Sequence, residues 1–174
     1  MEATLFIFSG LPASGKSTLA KHITKIYRAV YLRIDTIEQG LLDLCHTEVQ
    51  GEGYELSYRI ANDNLKLGNS VVSDSCNTID LTRKAWENLA SLNGCRYINI
   101  EVVCSDKIEH QRRLKERVNE IENLKVLSWE DVVRREYHSW TEDRIIIDTA
   151  HKSIMSCVEE LVNKIELLFK NQTE

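Results

Sequence analysis

The feature that most constrains this chain is Gly10-Leu11-Pro12-Ala13-Ser14-Gly15-Lys16-Ser17, which matches G-x-x-x-x-G-K-[ST] at every fixed position. Average residue usage produces such a match by chance in roughly one chain in a hundred of this length. The surroundings narrow the field further. Thr4 to Ser9 (TLFIFS) reads as a buried strand, and Leu19, Ala20, Ile23, Ile26 and Tyr27 fall on one helical face after the motif. A glycine-rich turn that leaves a strand and opens a helix is an anion cradle. Gly10 and Gly15 let the backbone curl until successive N–H groups point inward, and the helix opening near Lys16 adds its dipole at the same spot. Lys16 has the reach for β- and γ-phosphates, and the Ser17 hydroxyl, next to Thr18, suits Mg²⁺. The loop residues 10–18 therefore predict a nucleoside triphosphate site.

The rest of the chain alternates short β-branched runs with amphipathic stretches. Strands are expected at Val30 to Ile34 (ending at Asp35), Val71-Val72 (ending at Asp74), Ile98 to Val103 and Ile145 to Asp148. Helices are expected over 54–67 and 81–93, each closed by a glycine, Gly68 and Gly94. Asp106 with Glu109 and Ser128 with Asp131 have capping-box spacing. The last helix carries Ile154, Cys157, Val158, Leu161, Val162, Ile165, Leu168 and Phe169 at helical spacing. Five strands separated by helices predict an α/β fold. It is a three-layer, doubly wound parallel sheet in one domain over 1–174. At 174 residues and 20.1 kDa, a single core buries about 70% of the unfolded surface, enough to fold without disulfides or a structural metal.

Several classes of triphosphate-binding protein do not fit. No Asn-Lys-x-Asp guanine-reading motif occurs, no LSGGQ-like signature is present, and the chain is short for an AAA-type or transporter ATPase module. Small kinases remain, in which a second substrate attacks the γ-phosphate.

At this point the sequence resembles a family. GLPASGKSTLAKHI followed by YLRIDTIEQGL is similar to the small P-loop kinases that include polynucleotide kinase, chloramphenicol phosphotransferase, gluconate kinase and the zeta toxins, and most of all to their predicted-kinase branch. The resemblance implies a P-loop NTPase fold of nucleoside-monophosphate-kinase-like type, with ATP and Mg²⁺ as cofactors. It implies that Asp35 accepts the proton of an attacking hydroxyl, a task that suits a carboxylate because a loose transition state needs orientation and a late proton acceptor. The plainer reading of Asp35 is an N-cap for a helix starting near Thr36. Asp74, at the end of a strand, is placed to hold a Mg²⁺-bound water with Ser17 or to orient substrate beside Ser75 and Asn77, unless it is only a turn or cap.

Between Lys107 and Arg117 five basic residues face two acids, and Arg113 and Arg117 share a helical face. The resemblance makes this the start of a lid, 113–130 with Val118 to Ser128 as its mobile part, whose arginines neutralise charge in transfer. The plainer reading is a solvated face laced by Glu109 and Glu116. Asp148-Thr149 lies where related kinases contact adenine through backbone groups, so its side chains need not touch the base. Tyr137 and Trp140 read as core, and His22, His46, His110, His138 and His151, which have no partner spacing, as surface.

Residues 38–63, the expected acceptor-binding region, hold six acids (Glu38, Asp43, Glu48, Glu52, Glu55, Asp63) and one base, Arg59. A monophosphate or a nucleic-acid end wants clustered Arg and Lys. The charge therefore favours a neutral or cationic small molecule bearing a hydroxyl, such as an aminosugar-type antibiotic or a polar metabolite, with nucleotide and polynucleotide kinases as alternatives. The net charge of −5 also argues against a general nucleic-acid or anionic-membrane binder. A non-catalytic ATP-binding switch is the reading from another class, and it divides from the kinase at Asp35. The five cysteines, Cys45, Cys76, Cys95, Cys104 and Cys157, have neither disulfide nor zinc spacing and read as buried thiols in a reducing compartment. Met1-Glu2-Ala3-Thr4 carries an acid where a signal peptide wants bases, and no apolar run approaches ~20 residues, so a cytoplasmic location away from membrane is expected.

Overall fold

The computed structural model describes residues 2–46 and 48–171. Met1 of the N-terminal stretch, Thr47 of the acidic region and the last three positions of 1–174 lie outside the described residues. In chain order the elements are β1 (Thr4–Ser9), α1 (Lys16–Tyr27), β2 (Val30–Arg33), α2 (Ile34–Cys45), α3 (Glu52–Lys66) and β3 (Val71–Asp74). They continue with α4 (Asp80–Leu92), β4 (Arg96–Val103), α5 (Lys107–Glu116), α6 (Trp129–Val133), β5 (Ile145–Asp148) and α7 (Ile154–Asn171).

The strands form one sheet in the order β2-β3-β1-β4-β5, with every pair parallel. A parallel sheet needs both faces covered, and the period of two in β1 meets that demand. Phe6 and Phe8 face a core built with Leu19, Ala20 and Ile23 of α1 and Cys157, Val158, Leu161 and Ile165 of α7. Leu5 and Ile7 face a second core with Ile34 of α2, Ala61 and Leu65 of α3 and Trp86 and Ala90 of α4. The three-layer, doubly wound architecture is as the strand pattern predicts. Register brings the carboxyl ends level: Phe8 pairs with Asp74, Arg33 with Asp74, and Val103 with Asp148. The polar residues that end the strands thus converge on one edge, where open α/β sheets bind ligands.

Several local expectations need correction. Ile26, expected on the buried face of α1, is half exposed, and so is Ile154 at the start of α7. The strand expected to run to Ile34 stops at Arg33, which is the N-cap of α2. Asp35 is therefore the second residue of that helix and not its cap. Gly68 and Gly94 do adopt left-handed backbone after their helices, as predicted. Ser128 and Asp131 form a full capping box, whereas Asp106 caps α5 by accepting from the Glu109 N–H alone. Of the cysteines, Cys104 and Cys157 are buried, Cys76 and Cys95 half-buried, and Cys45 exposed, so uniform burial does not hold. No helix among the described residues is long and apolar enough to cross a membrane.

Candidate functional site

The loop between β1 and α1 takes positive φ at Gly10 (140°), Ala13 (64°) and Gly15 (98°). Only glycine serves at Gly10, because a Cβ there would run into the Val102 carbonyl oxygen of β4. The Gly10 N–H donates to the Cys76 carbonyl at 3.0 Å, tying the loop to the end of β3. Two further carbonyls of the loop are held from outside. His110 on α5 is 5% exposed and donates its Nε2–H to the Pro12 carbonyl at 2.7 Å. Thr149, just after β5, donates its hydroxyl to the Ser14 carbonyl at 2.7 Å. Carbonyls pinned outward leave the loop N–H groups turned toward the cavity, which is the arrangement an anion nest requires.

His110 was expected at the surface, and the structure corrects this: it is buried under the loop, its ring edge-on to Trp129 at 5.2 Å. Arg113 needs a similar revision. Its guanidinium donates to the Thr149 hydroxyl and carbonyl (both 2.8 Å) and pairs with Glu109 at 2.6 Å. Arg113 lines the cavity while bracing Thr149, and so supports the loop from behind. Arg112 pairs with Glu116 in the open, so the expected lacing of the basic face is also present.

At the foot of the loop, Lys16 Nζ bonds Asp74 Oδ1 at 2.9 Å, and Tyr31 donates its hydroxyl to Asp74 Oδ2 at 2.6 Å. Burial alone would push the Asp74 carboxyl up; the Lys16 charge and bonds from Tyr31, Lys16 and Ser17 outweigh it and hold the group below the usual carboxylate range. Burial would likewise lower Lys16, but the Asp74 charge, with Cys76 and Asp35 nearby, raises it above the usual lysine range. Ser17 and Asp74 set a hydroxyl beside an ionised carboxylate, oxygen donors of the kind Mg²⁺ prefers, with the carboxylate oxygens also bonded by Lys16 and Tyr31. That set fits Mg²⁺ held by Ser17 with Asp74 behind it. No group of three or more His, Cys, Asp or Glu residues suited to another metal occurs among the described residues.

Two cavities open at this edge. The larger, about 400 Å³, is lined by the loop at Leu11 to Ala13 and Gly15 to Thr18, by Arg113 and by Thr149. The smaller, about 180 Å³, is lined by Glu38, Leu114, Asn119, Arg135 and residues 124–127. Asp35, Cys76 and Arg117 line both. Arg117 makes no hydrogen bond or ion pair among the described residues, so its guanidinium is available where the two spaces meet. Asp35, in the first turn of α2, lines the same two spaces.

The expected acceptor region 38–63 contributes less than the sequence suggested. Only Glu38 enters the smaller cavity; the other five acids are exposed, with Glu52 bonded to the Gln50 and Gly51 N–H groups and Asp43 to Gln39. Besides Asp35, Cys76, Leu114 and Arg117, the lining comes from the segment 118–128, expected as the mobile part of a lid, and from Arg135. Burial and the Asp35 charge push Glu38 up to about 6, with Arg135 opposing and Glu52 adding to the rise. Tyr137 and Trp140 line neither cavity. They flank the fully buried Arg83, whose guanidinium lies 3.9 Å from the Trp140 ring and holds the Asn77, Thr78 and His138 carbonyls; both are only half-buried and belong to neither hydrophobic core, which corrects their reading as core.

A family model described as AAA domain matches residues 5–135. The short length had argued against an AAA-type ATPase module, and the match overrides that exclusion. No curated protein matches the chain significantly. Among solved structures, a protein described as a kinase from Chloroflexus aurantiacus J-10-fl superposes with TM-score 0.71 at 19% identity, covering 95% of this chain and 98% of that one. A gluconokinase from Sinorhizobium meliloti 1021 gives TM-score 0.70 at 13% identity, covering 98% and 95%. Chaetomium thermophilum Kti12, in complex with ADP-AlF3, gives 0.69 at 19%, covering 92% and 96%. At these identities the likeness is one of fold, and it extends over nearly the whole chain. The chain belongs to the AAA domain family and carries the fold of the small P-loop kinases.

Proposed function

We propose that this protein is an ATP-dependent phosphotransferase that moves the γ-phosphate of Mg·ATP to a hydroxyl of a compact, neutral or cationic small molecule. The observation that carries the reading is the shared wall. Asp35 and Arg117 both line the larger cavity, built on the phosphate loop, and the smaller one beside it. A group transferred between two bound molecules needs that arrangement, and a nucleotide-sensing switch has no use for the second cavity.

In this reading the loop N–H groups and Lys16 hold the β- and γ-phosphates, and Thr149 and His110 keep the loop shaped for them. Ser17, with Asp74 behind it, would hold Mg²⁺, which would supply charge neutralisation during transfer. Asp35 accepts the acceptor's hydroxyl proton as its oxygen bonds to the γ-phosphorus; the bond to the β-phosphate oxygen breaks and ADP leaves. Arg117 offsets the charge that spreads over the transferring group. The smaller cavity is well under the usual few hundred Å³ of a ligand pocket, which favours a compact acceptor over a nucleotide or a polynucleotide end.

The test is ADP release from Mg·ATP over a panel of sugars, amino alcohols, nucleosides, nucleoside monophosphates and oligonucleotide ends. Replacing Asp35 by Asn should cut acceptor-stimulated turnover by about 10²–10⁴-fold and leave ATP affinity within about threefold; Lys16→Ala should weaken ATP itself. Stimulation that survives Asp35→Asn would remove Asp35 from the chemistry, and ATP binding with no stimulation by any acceptor would favour the switch.

A further inference from the structure

Glu38 stands one turn after Asp35 on α2, so the two carboxyl side chains share a helix face, and both enter the smaller cavity. Among the described residues Glu38 makes no hydrogen bond and no ion pair, although it is more than half withdrawn from solvent. A carboxylate in that position normally finds a partner within the protein.

Its seat is built for it. Gly53 is the second residue of α3 and has ordinary helical backbone, so nothing in its conformation calls for glycine. A Cβ at Gly53 would collide with the Glu38 Cγ. Glycine so near a helix start gives up the helix propensity that alanine would supply, and what α3 gains in return is room for this one side chain.

The charges around it sort by depth. Lys125 and Arg135 also line the cavity, but both are exposed and sit at its rim. Rim cations surrounded by water and counter-ions select weakly. Asp35, Glu38 and Arg117 are withdrawn, and Arg117 is shared with the phosphate side. The inner wall of the smaller cavity therefore sets two carboxylates against one guanidinium; Asp35 and Arg117 are both shared with the phosphate side, and Glu38 is the charged group that belongs to the smaller cavity alone.

Resting on the kinase reading above, we propose that Glu38 is the residue that selects the acceptor. The acceptor then presents two neighbouring hydrogen-bond donors, the attacking hydroxyl to Asp35 and an adjacent hydroxyl or ammonium to Glu38. The substrate class is a vicinal diol or a vicinal amino alcohol.

The experiment uses radiolabelled ATP with the full-length protein and an extract of small metabolites split by ion exchange into cationic, neutral and anionic pools. Half of each pool is treated with periodate, which cleaves vicinal diols and amino alcohols, and then quenched. Incorporation is expected from the neutral or the cationic pool and lost after periodate. Glu38→Ala should raise the acceptor KM by about tenfold or more while the KM for ATP holds, and Gly53→Ala should do the same by displacing Glu38. Glu38→Gln separates the two donors: it keeps an acceptor oxygen for a hydroxyl and rescues a diol, but it removes the charge an ammonium needs. The proposal is overturned by incorporation from the anionic pool alone, by activity that resists periodate, or by an acceptor KM indifferent to Glu38→Ala. Failure of the kinase reading shows separately, as tight ATP binding with no incorporation from any pool.

Discussion

Asp74 holds Lys16 and Tyr31 at once, one on each carboxylate oxygen, and it is 1% exposed. Replacing it with Asn leaves the Lys16 ammonium buried without its nearest counter-charge, which in buried pairs costs about 3–5 kcal/mol. Tyr31→Phe removes one bond to a charged acceptor and should cost about 1–2 kcal/mol. The pH dependence follows from the depressed carboxyl. The unfolded chain takes up the proton near the ordinary value of 3.8, before the folded one does. The stabilisation is therefore complete above that value and lost as pH falls through the lower folded value. Urea unfolding of wild type and Asp74→Asn between pH 3 and pH 7 should show the gap between them narrowing on acidification; a constant gap would mean that Asp74 contributes little through its charge. The carboxylates themselves were legible in the sequence, because an acid that ends a hydrophobic run lands at the sheet's ligand edge. Their partners were not: Tyr31 reaches across 43 residues to Asp74, and His110 across 98 to Pro12. No local pattern records such contacts.

Among the elements, α5 is where sequence and structure part most. Its basic composition read as a lid face, and its apolar content is too low to announce a buried side. Yet His110 and Leu114 are buried, and with Arg113 the helix braces the phosphate loop at two of its carbonyls, directly at Pro12 and through Thr149 at Ser14. His110→Ala strips a buried carbonyl of its donor, a loss of about 1–3 kcal/mol. Because that carbonyl belongs to the loop, the loss should appear as ATP affinity weakened by about 5- to 100-fold, measured by calorimetry, with helix content unchanged by circular dichroism. His110→Gln, which keeps a donor, should recover part of it; equal ATP affinity in all three proteins would reduce His110 to packing. The boundary of β2 and α2 was misread for a different reason. Ile34 is apolar and β-branched, so it continues the strand pattern, but it packs as the first residue of the helix. Gly53 was silent in the sequence because its value lies in what it leaves empty for a residue on another helix.

At the scale of the whole molecule, the segment 118–128 is the part that touches everything. Val118 and Glu120 border the larger cavity, and Asn119 with residues 124–127 borders the smaller one. It has no regular structure of its own, and its main tie to the rest runs through Glu120, whose Oε2 accepts from Lys21 of α1 at 2.6 Å and Arg33 of β2 at 2.8 Å. Glu120 is more than half exposed, so each of these pairs is worth at most about 1 kcal/mol and is screened by salt. In the kinase proposed above, a latch of that strength would keep this segment closed over the site most of the time and still let it open for exchange of nucleotide and acceptor. Glu120→Ala should therefore open the segment without unfolding the domain. Trypsin cleavage after Lys125 should quicken by about two- to fivefold in 0.1 M salt, while the urea midpoint of the whole chain barely moves. Raising the salt to about 1 M should speed cleavage of the wild type toward that of the variant, since both treatments remove the same attraction. Cleavage that is salt-sensitive to the same degree in Glu120→Ala would place the closing force elsewhere along the segment, with Asn123 and its 3.4 Å contact to Asp43 as the next candidate.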